Sequence, residues 1–144
     1  MDVVVDDHLL LRILLEEEPA DLRPPGGRIL TTGLWYHRLC RAVSHHAVTG
    51  AMSRILGRAD PAVAASTARA ITALPEGIGL LSLRELAWPM AQLLGEGVRL
   101  NLMSMEALAA AETHGAELCL ATADDNPQLL GCAAARGTPA RLID

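Results

Sequence analysis

The stretch VVVDDHLLLRILL, residues 3–15, decides how the rest of the chain is read. Val3 to Val5 are β-branched and apolar at every position, as a short parallel strand covered on both faces must be. Leu9, Leu10, Ile13 and Leu14 then recur at helical spacing, and Pro19 closes that helix after Glu16, Glu17 and Glu18. A strand that runs through two acids straight into a helix is half of a βαβ unit. The same alternation continues downstream.

PADLRPPGGR, residues 19–28, reads as a loop by its proline and glycine content. The apolar side of Trp35, Leu39, Ala42 and Val43 predicts a second helix from about Leu34 to Thr49. Pro61 opens an Ala-rich helix that ends before Leu74-Pro75. GIGLLSL (77–83) is a second strand, and a helix from Arg84 to Leu94 follows, broken by Gly95-Glu96-Gly97. Ser104 serves as N-cap of a helix through Thr113, closed by Gly115. ELCLATA (117–123) reads as a third strand, Pro127 to Ala135 as a helix, and the tail ARLI as a short last strand. Strands separated by helices predict one α/β domain over residues 1–144, three-layered, with a central parallel sheet.

Composition narrows the chemistry. The 144 residues are 51% hydrophobic, enough for one domain with a core, and contain 25 Leu and 24 Ala but no Phe. At 2% aromatic residues, recognition built on ring stacking is disfavoured. All 12 basic residues are Arg, so Schiff-base, P-loop and kinase-type lysines are excluded. Cys40, Cys119 and Cys132 are odd in number and far apart, which suits reduced thiols rather than a disulfide frame or a zinc site. An acidic N-terminus and the lack of a long uncharged apolar stretch predict a soluble, cytoplasmic setting.

The net charge of −5 is unevenly spread. Residues 23–69 carry seven Arg against the single acid Asp60, and three of the five histidines, His37, His45 and His46, also fall there. Either an anionic ligand or a solvated helix surface accounts for that pattern. Arg38, Arg41 and His45 share a helical face by their spacing and could form a phosphate-contacting stripe. Adjacent His45 and His46 point apart on a helix and read as surface residues. Trp35 and Trp88 read as core or helix-packing residues, and Met103 and Met105 as ordinary packing.

The acids at strand ends are the sharpest feature. Asp6 ends the first strand and Asp124 the third, and open parallel sheets gather ligands at the carboxyl ends of their strands. Asp7 and Asp125 follow immediately, as helix N-caps or supporting acids. Glu106, near the start of its helix, can point to the same end. Three converging carboxylates form a hard-oxygen site suited to Mg²⁺ or Mn²⁺, which activates water and offsets charge on a phosphodiester.

VVVDDHLLLRILL together with MEALAAAETHGAELCLATADD resembles the PIN domain, the nuclease fold of many toxin–antitoxin toxins. Thr122-Ala123-Asp124 matches the T-x-D motif of that family, and Glu106 stands where the family usually has Asp. The resemblance implies a metal-dependent ribonuclease. Asp6, Glu106 and Asp124 would be catalytic, these three with Asp125 would bind metal, RNA would be the substrate, and an antitoxin or a second copy the protein partner. One position departs: matching TTGLWYHRLC to the family's second helical segment puts Arg38 where a ligand Glu is usual. A module that kept the fold and lost the chemistry is therefore the alternative. The first residues also resemble a response-regulator receiver domain, but that fold needs a lysine, and this chain has none.

Overall fold

The structure, a computed structural model, describes residues 1–44 and 51–144. Five strands, β1 (Val3–Val5), β2 (Ile29–Thr32), β3 (Ile78–Leu81), β4 (Glu117–Ala121) and β5 (Ala140–Ile143), form one sheet. Its order is β3-β2-β1-β4-β5, and every pairing is parallel. Among the described residues seven α-helices cover it: α1 (Asp7–Leu14), α2 (Gly33–Ser44), α3 (Ala51–Arg58), α4 (Pro61–Thr72), α5 (Leu83–Gly95), α6 (Leu102–His114) and α7 (Pro127–Arg136). The expected three-layer α/β fold with a central parallel sheet is the observed one.

Strand alternation splits the core into two halves. Val3, Val5, Ile29 and Cys119 pack with Leu9, Leu10, Leu39 and Ile71, on the side of α1, α2 and α4. Val4, Leu30, Leu118 and Leu120 pack with Leu86, Met90, Leu108 and Leu129, on the side of α5, α6 and α7. All three valines of β1 are fully buried, as a central strand with both neighbours parallel requires. Cys119 is buried in the same way, and burial pushes its thiol up to about 12. The three cysteines are free thiols. No helix is long and apolar enough to cross a membrane among the described residues.

Several local expectations need correction. β2 has no counterpart among the strands expected from the sequence, yet Ile29–Thr32 pairs with both β1 and β3. Thr31 donates its hydroxyl to the Val5 carbonyl at 3.0 Å, while the Thr32 hydroxyl accepts the Trp35 N–H at 3.4 Å at the start of α2. The α1 helix stops at Leu14, before the three glutamates, and Glu16 takes a left-handed φ of 62°. Helix α3 was not foreseen. The cap of α6 is Asn101, whose side chain accepts the Ser104 N–H at 2.8 Å; Ser104 receives the cap rather than supplying it. The third predicted strand ends at Ala121, and Thr122–Asp124 is a 3-10 turn. His45, His46 and the end of the predicted second helix lie outside the described residues. Trp35 is buried, but Trp88 is 73% exposed: α5 turns Leu86, Met90 and Leu93 to the core, and Trp88 falls on another face.

Candidate functional site

The chain winds outward from β1 in two directions. β2 and β3 lie to one side, and β4 and β5 to the other. The topological switch point is therefore between β1 and β4, the place where such sheets open a crevice beyond their carboxyl ends. A cavity of about 270 Å³ lies there, lined among others by Asp6, Trp35, Arg38, Ser104, Asp124 and Asp125. Three of the four predicted site acids thus share one cavity wall. Glu106 is fully buried and does not line it, although its neighbours Met103 and Ser104 do.

Asp6 is 1% exposed and caps α1, its Oδ1 accepting the Leu9 N–H at 2.8 Å. Its Oδ2 accepts the Ala121 N–H, also at 2.8 Å, which ties the end of β4 to the end of β1. Burial raises its pKa to about 6, against the opposing pull of these two N–H groups. The capping role assigned to Asp7 belongs to Asp6. Asp125 was the candidate cap for α7, but Asn126 fills that role, accepting the Leu129 N–H at 3.1 Å, and Asp125 is exposed.

Asp7, with no exposed side-chain surface, instead receives Arg38 as a two-toothed fork. The Arg38 Nη2 bonds Asp7 Oδ1 at 2.6 Å, and its Nε bonds Oδ2. The same Nη2 also reaches Asp124 Oδ2. Arg38 projects from α2 into the crevice, so it leaves the phosphate-contacting stripe expected with Arg41, which is exposed. The two carboxylates hold the Arg38 guanidinium well above its ordinary range.

Asp7, His8 and Asp124 bring ligand atoms within 4.8 Å of one another, a group that could hold a metal ion. His8 was not foreseen as a member; its position directly after two acids was the available signal. The buried His8 Nδ1 has no hydrogen-bond partner. Against a metal stands the donor set itself. Arg38 already binds two of the three members, and its positive charge opposes a second cation at the same oxygens. As arranged, the residues do not fit a divalent ion. Glu106 is committed elsewhere: its Oε1 accepts the Leu34 N–H at 2.8 Å, at the start of α2, which has no acid of its own in the first turn. Its Oε2 is buried without a partner. The glutamate therefore anchors the helix that delivers Arg38.

Neither a comparison with protein-family models nor one with curated proteins finds a match to this chain. The geometry has to carry the functional reading.

The raised Asp6 pKa makes a pH prediction. The folded state holds this proton more tightly than the unfolded chain, so the contribution is full below the ordinary Asp value of 3.8 and lost as pH rises through about 6. Asp2 and Glu112, whose pKa values arginine bonds lower, act oppositely and lose stability toward low pH. Denaturant unfolding at pH 7 and pH 5 is expected to show Asp6→Asn losing ground to the parent by about 1 kcal/mol at the lower pH. An equal difference at both values would contradict the assignment.

Proposed function

We propose that this chain is a PIN-like module that contacts RNA and that, with Arg38 in its crevice, does not cleave by metal chemistry. The observation that carries this reading is the Arg38 bridge to Asp7 and Asp124, which puts a cation of the protein's own at the switch-point acids. A second observation supports the ligand. Of the arginines in the basic segment, Arg23 and Arg28 pair with Glu18 and Asp2. Arg41, Arg54, Arg58 and Arg69 are exposed on α2, α3 and α4, and none has an ion-pair partner among the described residues. Such charges suit a phosphate backbone, with affinity that falls steeply as salt rises. The acids in one crevice favour a second reading, a toxin-type ribonuclease dependent on Mg²⁺ or Mn²⁺, in which Arg38 gives way to the ion.

A labelled single-stranded RNA separates the two. The first reading expects salt-sensitive binding by anisotropy, weakened about tenfold or more by Arg54→Glu with Arg58→Glu, and no cleavage with millimolar Mn²⁺. Cleavage that needs Mn²⁺ and is lost in Asp124→Asn would establish the second. Neither binding nor cleavage would overturn both.

A further inference from the structure

The switch-point crevice is charged against phosphate. Asp6, Asp124 and Asp125 line it against the single guanidinium of Arg38, which Asp7 and Asp124 already share. A phosphate entering there would meet net negative charge at close range. Trp35, Met103 and Leu120 give the same cavity an apolar lining. At about 270 Å³ it falls just under the roughly 300–1,000 Å³ typical of pockets for drug-sized ligands, which leaves room for one small ring system. Resting on the RNA reading above, we propose that the crevice seats a single unpaired guanine base of the strand, while the arginines of α2, α3 and α4 hold the strand's phosphates.

Three polar groups of the lining have hydrogen-bonding capacity left over. Asp125 is exposed and has no hydrogen-bond or ion-pair partner among the described residues. Asn126 caps α7 from the next position, which fixes the backbone that carries Asp125. Asn101 spends its Oδ1 on the Ser104 N–H, and its amide nitrogen has no acceptor among the described residues. Ser104, 4% exposed, accepts the Asn126 amide at 2.9 Å, and its own hydroxyl proton has no acceptor among them either. The lining therefore offers one free carboxylate and two free donors beside its apolar contacts.

Guanine matches that set better than the other bases. Its N1–H and 2-amino groups are neighbours and point the same way, so both oxygens of one carboxylate accept from a single edge. Beside them O6 and N7 accept hydrogen bonds, which suits the Asn101 amide and the Ser104 hydroxyl. Uracil sets its one ring N–H between two carbonyls, which a carboxylate repels. Adenine and cytosine offer an amine beside a ring acceptor, so one carboxylate oxygen confronts a lone pair. Unpaired bases are what proteins read most readily in RNA. Helix α2 makes the crevice continuous with the basic face: exposed Arg41 follows Arg38 at a step of three, so a strand held there passes the crevice mouth.

The test is fluorescence anisotropy of the full chain, in EDTA, with twelve-nucleotide oligouridylates that carry guanosine, inosine or uridine at their centre. Inosine differs from guanosine only by the missing 2-amino group. The guanosine strand is expected to bind about tenfold more tightly than the other two, the scale of one good two-bond contact to a base. Asp125→Ala is expected to bring that ratio to about one, since the carboxylate supplies both bonds. The residue is exposed, so circular dichroism should show parent-like folding. Arg54→Glu with Arg58→Glu should weaken all three strands and keep the ratio. Equal binding of the three strands, or a preference that survives Asp125→Ala, overturns the proposal and leaves the RNA reading standing. No binding of any strand takes down that reading and this inference together.

Discussion

Replacing Arg38 with Ala should lower stability by about 3 kcal/mol and make the protein responsive to Mn²⁺. Asp7 is wholly buried, and the substitution removes the fork that neutralises it. Breaking a fully buried pair costs about 3–5 kcal/mol. Here the lower end applies, since the Arg38 side chain is 32% exposed and water screens part of the attraction. The melting temperature should fall by about 10 °C. Asp7, His8 and Asp124 would then face one another without a cation, and a dication binding only the folded form stabilises it by mass action. Millimolar Mn²⁺ is therefore expected to recover much of the lost melting temperature in Arg38→Ala and to leave the parent unmoved. A parent that gains as much as the variant would show that Arg38 is no obstacle to metal, and the nuclease reading would then take precedence.

Asp6→Ala is the second large effect. Both carboxylate oxygens are in use, and truncation leaves the Leu9 and Ala121 N–H groups buried without acceptors. Each orphaned donor costs about 1–3 kcal/mol, and the lost cap is part of the first. A total loss of about 3–5 kcal/mol is expected in denaturant unfolding. Asp6→Asn should lose roughly half as much, because its single oxygen can serve one of the two donors while its amide confronts the other. A near-neutral Asp6→Ala would mean that neither bond matters to the fold.

Particular residues explain what could be read from the chain in advance. Val3 to Val5 and Leu118 to Ala121 announced themselves as strands because central parallel strands are apolar at every position. Ile29–Thr32 did not, because half of it is threonine; the Thr31 hydroxyl bonds a neighbouring strand that only the fold supplies, and the Thr32 hydroxyl accepts the Trp35 N–H. The acids of the crevice were legible as residues that follow strands. Their division of labour was not. Asp6 and Asp7 are adjacent, and either could have capped α1; the N–H of Ala121, 115 residues away, distinguishes them. Glu106 offered no clue either, because its partner belongs to the first turn of another helix. Trp88 misled because aromatic residues usually mark cores, while α5 carries two apolar faces and only one reaches the sheet.

The sheet order has a consequence for synthesis. β1 is made before the other four strands, yet one of its two neighbours, β4, begins at Glu117. Until then β1 has a single parallel partner and one edge bare, and the Asp6 side chain lacks half of its acceptor role. The half-made chain offers an apolar strand edge to any other nascent or misfolded segment. Closing the sheet joins distant stretches of sequence, which slows folding relative to local pairing. Closure of the middle of the sheet is thus a late event: insertion of β4 beside β1 supplies the Ala121 N–H to Asp6, and β5 then pairs along β4.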